Sequence, residues 1–114
     1  MSYKKEIQTL LRKLNVNRTY KGFNYIIYGT QIVIEDPTLL TYICKGLYVE
    51  IAMHFNTTIT CAERNIRTVK EIIWNRTDKE LLYEIFNTFY CPTNAEFIDS
   101  LAMYIKNEFN NENY

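Results

Sequence analysis

The sequence predicts an all-α fold with about six helices and a central helix-turn-helix. Helix breakers are scarce, with three Gly and two Pro among 114 residues, which disfavours a sheet built on many turns. Apolar residues recur at helical spacing, and a Thr-x-x-Glu capping box begins at Thr77 and again at Thr93. The length fits one domain over residues 1–114, with an ordered core over about 7–105. Residues 110–114 are polar, and we expect them to be frayed.

The first two helices are predicted from an apolar stripe and an apolar run. Ser2 can cap a helix that continues to Leu14, because residues 7, 10, 11 and 14 form one stripe. Residues 22–34 are apolar and partly β-branched, so this segment taken alone could form a strand. We interpret it as a helix, because the rest of the chain offers it no strand partner.

A cap residue followed by proline opens the next segment. Asp36 can cap a helix that has Pro37 at its first position. Gly46 separates this helix from a short one over residues 48–55. The apolar residues that follow Pro37 at helical spacing are Leu39, Leu40, Ile43 and Leu47.

Three further helices are predicted in the second half of the chain. Residues 56–74 contain no Gly or Pro, and either Thr58 or Thr60 can cap the helix that they form. The first capping box opens a short helix over residues 77–86, and the box at Thr93 opens the last helix.

Cysteine usage and hydropathy exclude several protein classes. Cys44, Cys61 and Cys91 are odd in number and widely spaced, with no Cys-x-x-Cys pair. We therefore expect no disulfide framework, no metal site and no cofactor, and a reduced cytoplasmic location fits best. Residues 1–12 lack the apolar run of a signal peptide, and no stretch approaches the roughly 18 apolar residues of a membrane span.

Charge is unevenly distributed, although the formal net charge is zero. Residues 1–34 contain Glu6 as their one acid, whereas residues 78–114 are acidic. This split is compatible with a polyanion on one face, and equally with two solvated surfaces of opposite sign. The cations of the basic part are Lys4, Lys5, Arg12, Lys13, Arg18 and Lys21.

Wound as an α-helix, residues 56–74 have two distinct faces. Glu63 and Lys70 lie on one flank. One stripe is apolar and must pack on the core, namely Ala62, Ile66, Val69 and Ile73. The opposite face holds Thr60, Cys61, Arg64, Arg67, Thr68 and Glu71.

This pattern suits a DNA recognition helix, whose N-terminal residues meet base edges in the major groove. Arg64 could pair bidentately with guanine, and Glu63 could accept a hydrogen bond from a cytosine amine. Hydroxyl groups and the helix start could hold a phosphate. The short helix over residues 48–55 and the tight link at 56–57 complete the outline of a helix-turn-helix. A surface helix with ordinary charged residues is the alternative interpretation.

Several sequence blocks resemble the C-terminal DNA-binding domains of the stage zero sporulation protein A family. Lys21-Gly22-Phe23-x-Tyr25 is similar to that family's Lys-Gly-Tyr-x-Tyr, and residues 92–98 are similar to its Pro-Thr-Asn-Ser-Glu-Phe-Ile. The blocks occur in order, and the resemblance covers Ile7 to Ile105. The blocks in the middle are Leu47-Tyr48, Ile51-Ala52, Asn56-Thr57-Thr58, Glu63-Arg64, Ile66-Arg67, Glu71 and Trp74-x-Arg76.

The resemblance implies a six-helix domain in which residues 59–74 form the recognition helix. Members of this family bind a short asymmetric DNA box as activators and repressors of transcription, often as tandem dimers. The implied partner is therefore double-stranded DNA, with a homodimer or tandem dimer as the bound form. Residues expected to contact bases are Cys61, Glu63 and Arg64. Residues expected to contact the DNA backbone are Thr57, Thr58, Thr60, Arg67, Thr68 and Lys70.

Departures from the family pattern bear on this expectation. Cys61 stands where the family has its first recognition arginine, and a lost arginine–guanine pair is worth ~1–3 kcal/mol of discrimination. Thr68 replaces a histidine, and Val49 replaces a proline. Either the preferred box has changed or binding is weaker. A receiver domain of the family's kind does not fit in 114 residues, so a complete chain would not be switched by receiver phosphorylation; an excised fragment is the other possibility.

A second hypothesis is an interaction protein that keeps the fold and docks on another copy or on a related full-length regulator. Exposed aromatic residues would support it, and the candidates are Tyr28, Tyr42, Tyr83, Tyr90 and Tyr104. An enzyme is not expected, because the sequence places no catalytic partner beside His54, the only histidine. Cys61 could be a redox-sensitive DNA contact, or simply a small residue where an arginine was lost.

Overall fold

The structure, a computed structural model, describes residues 2–110. This part of the chain forms six α-helices and no strand, which confirms the predicted all-α fold. A short 3-10 turn, Pro37–Leu40, lies between the second and third helices. The helices are α1 (Lys4–Lys13), α2 (Lys21–Glu35), α3 (Leu47–His54), α4 (Ile59–Arg76), α5 (Lys79–Phe86) and α6 (Asn94–Asn110).

Helix α2 lies at the centre of the domain. It packs against α1, α3, α4 and α6, and Ile26, Ile27 and Val33 are buried. A helix surrounded by other helices is apolar on most of its circumference, which removes the polar face that usually identifies a helix in the sequence. The helical interpretation of the apolar run 22–34 is therefore confirmed, and its strand-like composition has a packing cause.

Helix α1 starts at Lys4, one residue later than a cap at Ser2 predicts. Tyr3 occupies the cap position, and no side chain caps the helix there. Ser2 Oγ accepts from the Lys4 N–H at 3.3 Å and donates to Gln31 Oε1 at 2.9 Å. The Ser2 hydroxyl therefore links the start of α1 to α2. The helix ends before Asn15, whose φ of 73° is in the left-handed region.

The helix predicted after Asp36 is wrong beyond its first turn. The Asp36 carboxylate accepts from the Thr38 N–H at 3.1 Å, so the start signal is real. The chain then forms only the 3-10 turn and further turns, in which Gly46 N–H donates to the Tyr42 carbonyl at 2.8 Å. Gly46 lies directly against the Leu39 carbonyl, where a side chain would collide with backbone. This reversal of the chain allows α3 to begin at Leu47.

The capping box predicted at Thr77 is also wrong. Thr77 Oγ1 donates to the Leu14 carbonyl at 2.9 Å and accepts from Asn15 Nδ2 at 3.2 Å. Helix α5 starts at Lys79 and has no side-chain cap. Thr77 is buried where the end of α1 packs against the end of α4. Its hydroxyl therefore forms hydrogen bonds between these two helix ends and does not cap α5.

The second capping box is confirmed. Thr93 N–H donates to Glu96 Oε1 at 3.0 Å, and Glu96 N–H donates to Thr93 Oγ1 at 3.2 Å. Helix α6 then buries Phe97 and Leu101 and continues through Asn110. Residues 110–114, which we expect to be frayed, begin at the last residue of α6, and residues 111–114 lie outside the described residues.

Over residues 2–110, no helix combines the length and hydropathy that crossing a membrane requires.

Candidate nucleic-acid interface

Helices α3 and α4 and the turn between them form the predicted helix-turn-helix. Asn56 has a φ of 52°, a left-handed conformation that asparagine tolerates better than most residues. Thr57 N–H donates to the Ala52 carbonyl at 2.9 Å, which closes the end of α3. Thr58 has extended backbone, and its Oγ1 accepts from the Cys61 N–H at 3.0 Å. Of the two predicted caps of α4, Thr58 is therefore the one used.

The apolar stripe of helix α4 faces the core, as the periodicity predicted. Ile66 and Ile73 are fully buried, as are the other members of the apolar stripe, Ala62 and Val69. This burial orients the helix about its axis. Of the predicted polar face, Cys61 is half-buried, and the exposed members are Thr60, Arg64, Arg67, Thr68 and Glu71.

Two of the predicted contact residues already interact with each other. Arg67 Nη1 lies 2.7 Å from Glu63 Oε1, and Arg67 Nε lies 3.9 Å from a Glu71 carboxylate oxygen. Such exposed pairs at i,i+4 contribute only about 0.3–0.5 kcal/mol, so a ligand can displace them at small cost. Arg64 forms no ion pair with any other part of residues 2–110. It is the cation on this face that is available without breaking an existing pair.

Threonine hydroxyl groups on this surface differ in what they can still donate. Thr58 Oγ1 accepts at the helix start, so its O–H remains available to a phosphate oxygen. Thr68 Oγ1 instead donates to the Arg64 carbonyl at 3.0 Å. Thr60 is exposed in the first turn of α4, whereas Thr57 is half-buried. The capping threonine and Thr60 are therefore better placed as donors than Thr68.

Cys61 lies in a polar cluster behind the first turn of α4. Asn65 Nδ2 donates to the Cys61 carbonyl at 2.8 Å and to Cys61 Sγ at 3.2 Å. The neighbouring Thr57 side chain lowers the pKa of the Cys61 thiol, opposed by burial and assisted by Tyr25 and Lys21. Burial raises the pKa of Tyr25 in the same cluster. The thiol is half-buried, so it offers a smaller surface to a base than the longer Arg64 side chain.

Lys70 occupies a different environment from the one its flank position suggested. Only 7% of the residue is exposed, and it lines a cleft of about 460 Å³ together with Trp74, Cys91 and Pro92. Its aliphatic stem is thus covered by the segment that precedes α6. Lys70 is therefore buried and Arg64 is exposed, although both were predicted to contact DNA.

Asn94 holds the helix-turn-helix against α6, a role that the sequence analysis missed. Asn94 is buried, and its Nδ2 donates to Tyr48 Oη at 3.0 Å and to the Glu63 carbonyl at 3.2 Å. Burial raises the pKa of Tyr48, which keeps its hydroxyl neutral. One amide group thereby connects α3, α4 and α6. The sequence signals were the position of Asn94 directly after the cap Thr93 and its place in the block, residues 92–98, that resembles the family.

His54 and the tyrosines named as docking candidates differ in their surroundings. The His54 ring stacks on Tyr28, with centroids 3.9 Å apart and planes 11° apart. Three of the tyrosines named as docking candidates are exposed, Tyr42, Tyr83 and Tyr90, while Tyr28 and Tyr104 are half-buried. Residues 2–110 contain no group of three His, Cys, Asp or Glu side chains that could hold a metal ion.

The comparison with protein families agrees with this geometry. The family model described as the C terminal of sporulation initiation factor Spo0A matches residues 7–105. The match begins within α1 and ends within α6, so it includes the helix-turn-helix and Asn94.

Proposed function

Because the chain belongs to the Spo0A C-terminal family of DNA-binding regulatory domains, we propose that it is a sequence-specific transcription regulator with α4 in the major groove. The observation that carries this proposal is Arg64, an exposed cation without an ion-pair partner in residues 2–110, on the face of a capped helix. A regulatory domain of this kind acts on chromosomal DNA, which fits a cytoplasmic location. In this proposal the protein binds DNA as a homodimer or tandem dimer.

Base contacts in this proposal come from Arg64, Glu63 and Cys61. Arg64 pairs with a guanine through two guanidinium N–H groups, and Glu63 accepts from a cytosine amine. For Glu63 to do so, its ion pair with Arg67 at 2.7 Å must open or be shared. Cys61 supplies only van der Waals contact and weak hydrogen bonding, so specificity rests mainly on Arg64.

Contacts to the DNA backbone come from both ends of the exposed face of α4. Thr58 and Thr60 donate hydroxyl hydrogens near the start of α4, with Thr57 behind them. Arg67, released by Glu63, pairs with a phosphate further along. Thr68 contributes only after its hydroxyl leaves the Arg64 carbonyl. Lys70 reaches a phosphate only at the mouth of its cleft, which makes it the most constrained member of the set.

The decisive experiment compares Arg64→Ala with a matched surface cation, Lys106→Ala, which is exposed on α6. Fluorescence anisotropy would measure Kd for a duplex with the family's target box and for a scrambled duplex. We expect Arg64→Ala to weaken binding to the box by about 1–3 kcal/mol and to reduce the preference for it, with little effect of Lys106→Ala. Equal losses for both variants on both duplexes would contradict base contact by Arg64.

A specific surface feature favours the alternative, a protein that docks on a related full-length regulator. Tyr83 and Phe89 stack with centroids 4.6 Å apart, and Tyr90 beside them is 84% exposed. Exposed aromatic side chains of this kind are typical anchors of protein interfaces. If the wild-type protein binds neither duplex at low salt but co-elutes with such a regulator, and Tyr90→Ser abolishes the complex, the docking function replaces DNA binding.

A further inference from the structure

We propose that a polar cleft between the start of α2 and the turn of the helix-turn-helix binds a backbone phosphate of the DNA, with Lys21 as its cation. This inference rests on the proposed function and adds a second element, α2, to the DNA-binding surface. It names a contact on α2, whereas all the residues predicted to contact DNA lie in α4 or in the turn before it.

The start of α2 is held against α4 by a backbone contact. Gly22 is buried, and a side chain at this position would collide with the Asn65 carbonyl group and with Val69 Cγ2. Because the two helices touch here without an intervening side chain, the neighbouring Lys21 cannot be displaced far from the first two turns of α4. The position of Lys21 is therefore set by packing, while its side chain remains exposed.

The cleft next to Lys21 has the chemistry of an anion site. It has a volume of about 370 Å³, and its polar lining residues are Lys21, Asn24, Asn56 and Thr57. Lys21, Asn24 and Asn56 are exposed, and each side chain can donate a hydrogen bond. The remaining lining residues, Tyr25 and Phe55, carry no carboxylate. The lining residues therefore include one cation and no acidic side chain.

The cleft is also close to the surface that would contact bases. Lys21 acts electrostatically on the Cys61 thiol in the first turn of α4 and helps to lower its pKa. A helix inserted in the major groove has a phosphate strand on each side of it. A cation beside the first turn of α4 would therefore meet the strand on that side, while Arg64 meets base edges.

One cation in an open cleft is a weak site for free phosphate. The same cleft becomes effective when the phosphate belongs to a duplex already held by α4, because the second contact is then intramolecular. The occupant is accordingly a phosphate within duplex DNA and not inorganic phosphate.

The test measures the salt dependence of DNA binding for Lys21→Gln, with Lys106→Gln as the matched control. Each phosphate contact contributes a slope of about −0.9 to log Kobs against log salt concentration. We expect Lys21→Gln to reduce the slope by about 0.9 and to weaken binding about eightfold at 0.1 M salt, alike on box and scrambled duplexes. Lys21→Arg should keep the slope, and Lys106→Gln should leave it unchanged.

The outcomes separate this contact from the proposed function. If wild type binds the box and Lys21→Gln keeps the full slope, the phosphate site is refuted and the DNA-binding function stands. The site is refuted in the same way if Lys106→Gln loses as much slope, since the effect is then one of net charge. If wild type binds no duplex at low salt, the proposed function fails and the phosphate site fails with it. Thermal unfolding of each variant checks that the fold is intact.

Discussion

Replacing Gly22 with alanine tests the contact that positions α2 on α4. An added Cβ would lie 2.7 Å from Val69 Cγ2 and 2.8 Å from the Asn65 carbonyl carbon, and it would be closer still to the carbonyl oxygen. Ordinary contacts begin at 3.4 Å, so the helices must separate. The obstacle is mainly backbone, which cannot rotate away as the end of a flexible side chain can.

The expected loss of stability follows from two opposing contributions. Overpacking costs about 1–3 kcal/mol, and the backbone obstacle favours the upper half of that range. Within a helix, alanine is more favourable than glycine by about 1 kcal/mol of folding free energy. The net loss should be about 1–2 kcal/mol, which corresponds to a decrease of about 4–8 °C in Tm.

Gly29→Ala is the matched control, because it makes the same change within the same helix. Its Cβ would lie 3.1 Å from Ile51 Cδ1 and 3.2 Å from Leu47 Cδ1, the mobile ends of two side chains. We expect a change within about 1 kcal/mol. Urea unfolding followed by circular dichroism would measure both variants. A Gly22→Ala protein as stable as wild type, or no less stable than Gly29→Ala, would refute the close-contact argument.

Two further predictions concern titratable groups. Hydrogen bonds from the Thr93 backbone and side chain lower the pKa of Glu96. The contribution of the ionised Glu96 to stability is therefore complete above the unfolded pKa, near 4.5, and is lost as pH falls through the lower folded pKa. Glu96→Gln should therefore lose less stability than wild type between pH 5 and the acid range, as urea midpoints would measure, and parallel pH profiles would contradict the capping-box role. Cys61, whose pKa is lowered beside Thr57, should react with iodoacetamide faster at neutral pH than Cys91, whose pKa burial raises. Peptide mass spectrometry would measure both rates. Preferential labelling of Cys91 would show that restricted access of the reagent to the Cys61 thiol outweighs the effect of its lowered pKa.

The elements that the sequence predicted correctly depend on residues close together in the chain. The caps at Asp36, Thr58 and Thr93 each use a partner two or three positions away. The apolar stripe of α4 follows from helical spacing alone. The two incorrect elements fail for tertiary reasons. A chain reversal at Gly46 replaces the helix predicted after Pro37. The capping box at Thr77 does not form, because the Thr77 hydroxyl donates to the Leu14 carbonyl at the end of α1.

For the candidate site, the sequence by itself determined the family, the helix-turn-helix and the exposed face that carries Arg64. Tertiary structure alone decided how the polar side chains around that face are used. It buries Lys70 and directs Asn94 to Tyr48, a residue 46 positions earlier. Helical periodicity is a local property of the chain, whereas burial and hydrogen bonding across such separations depend on which helices pack together.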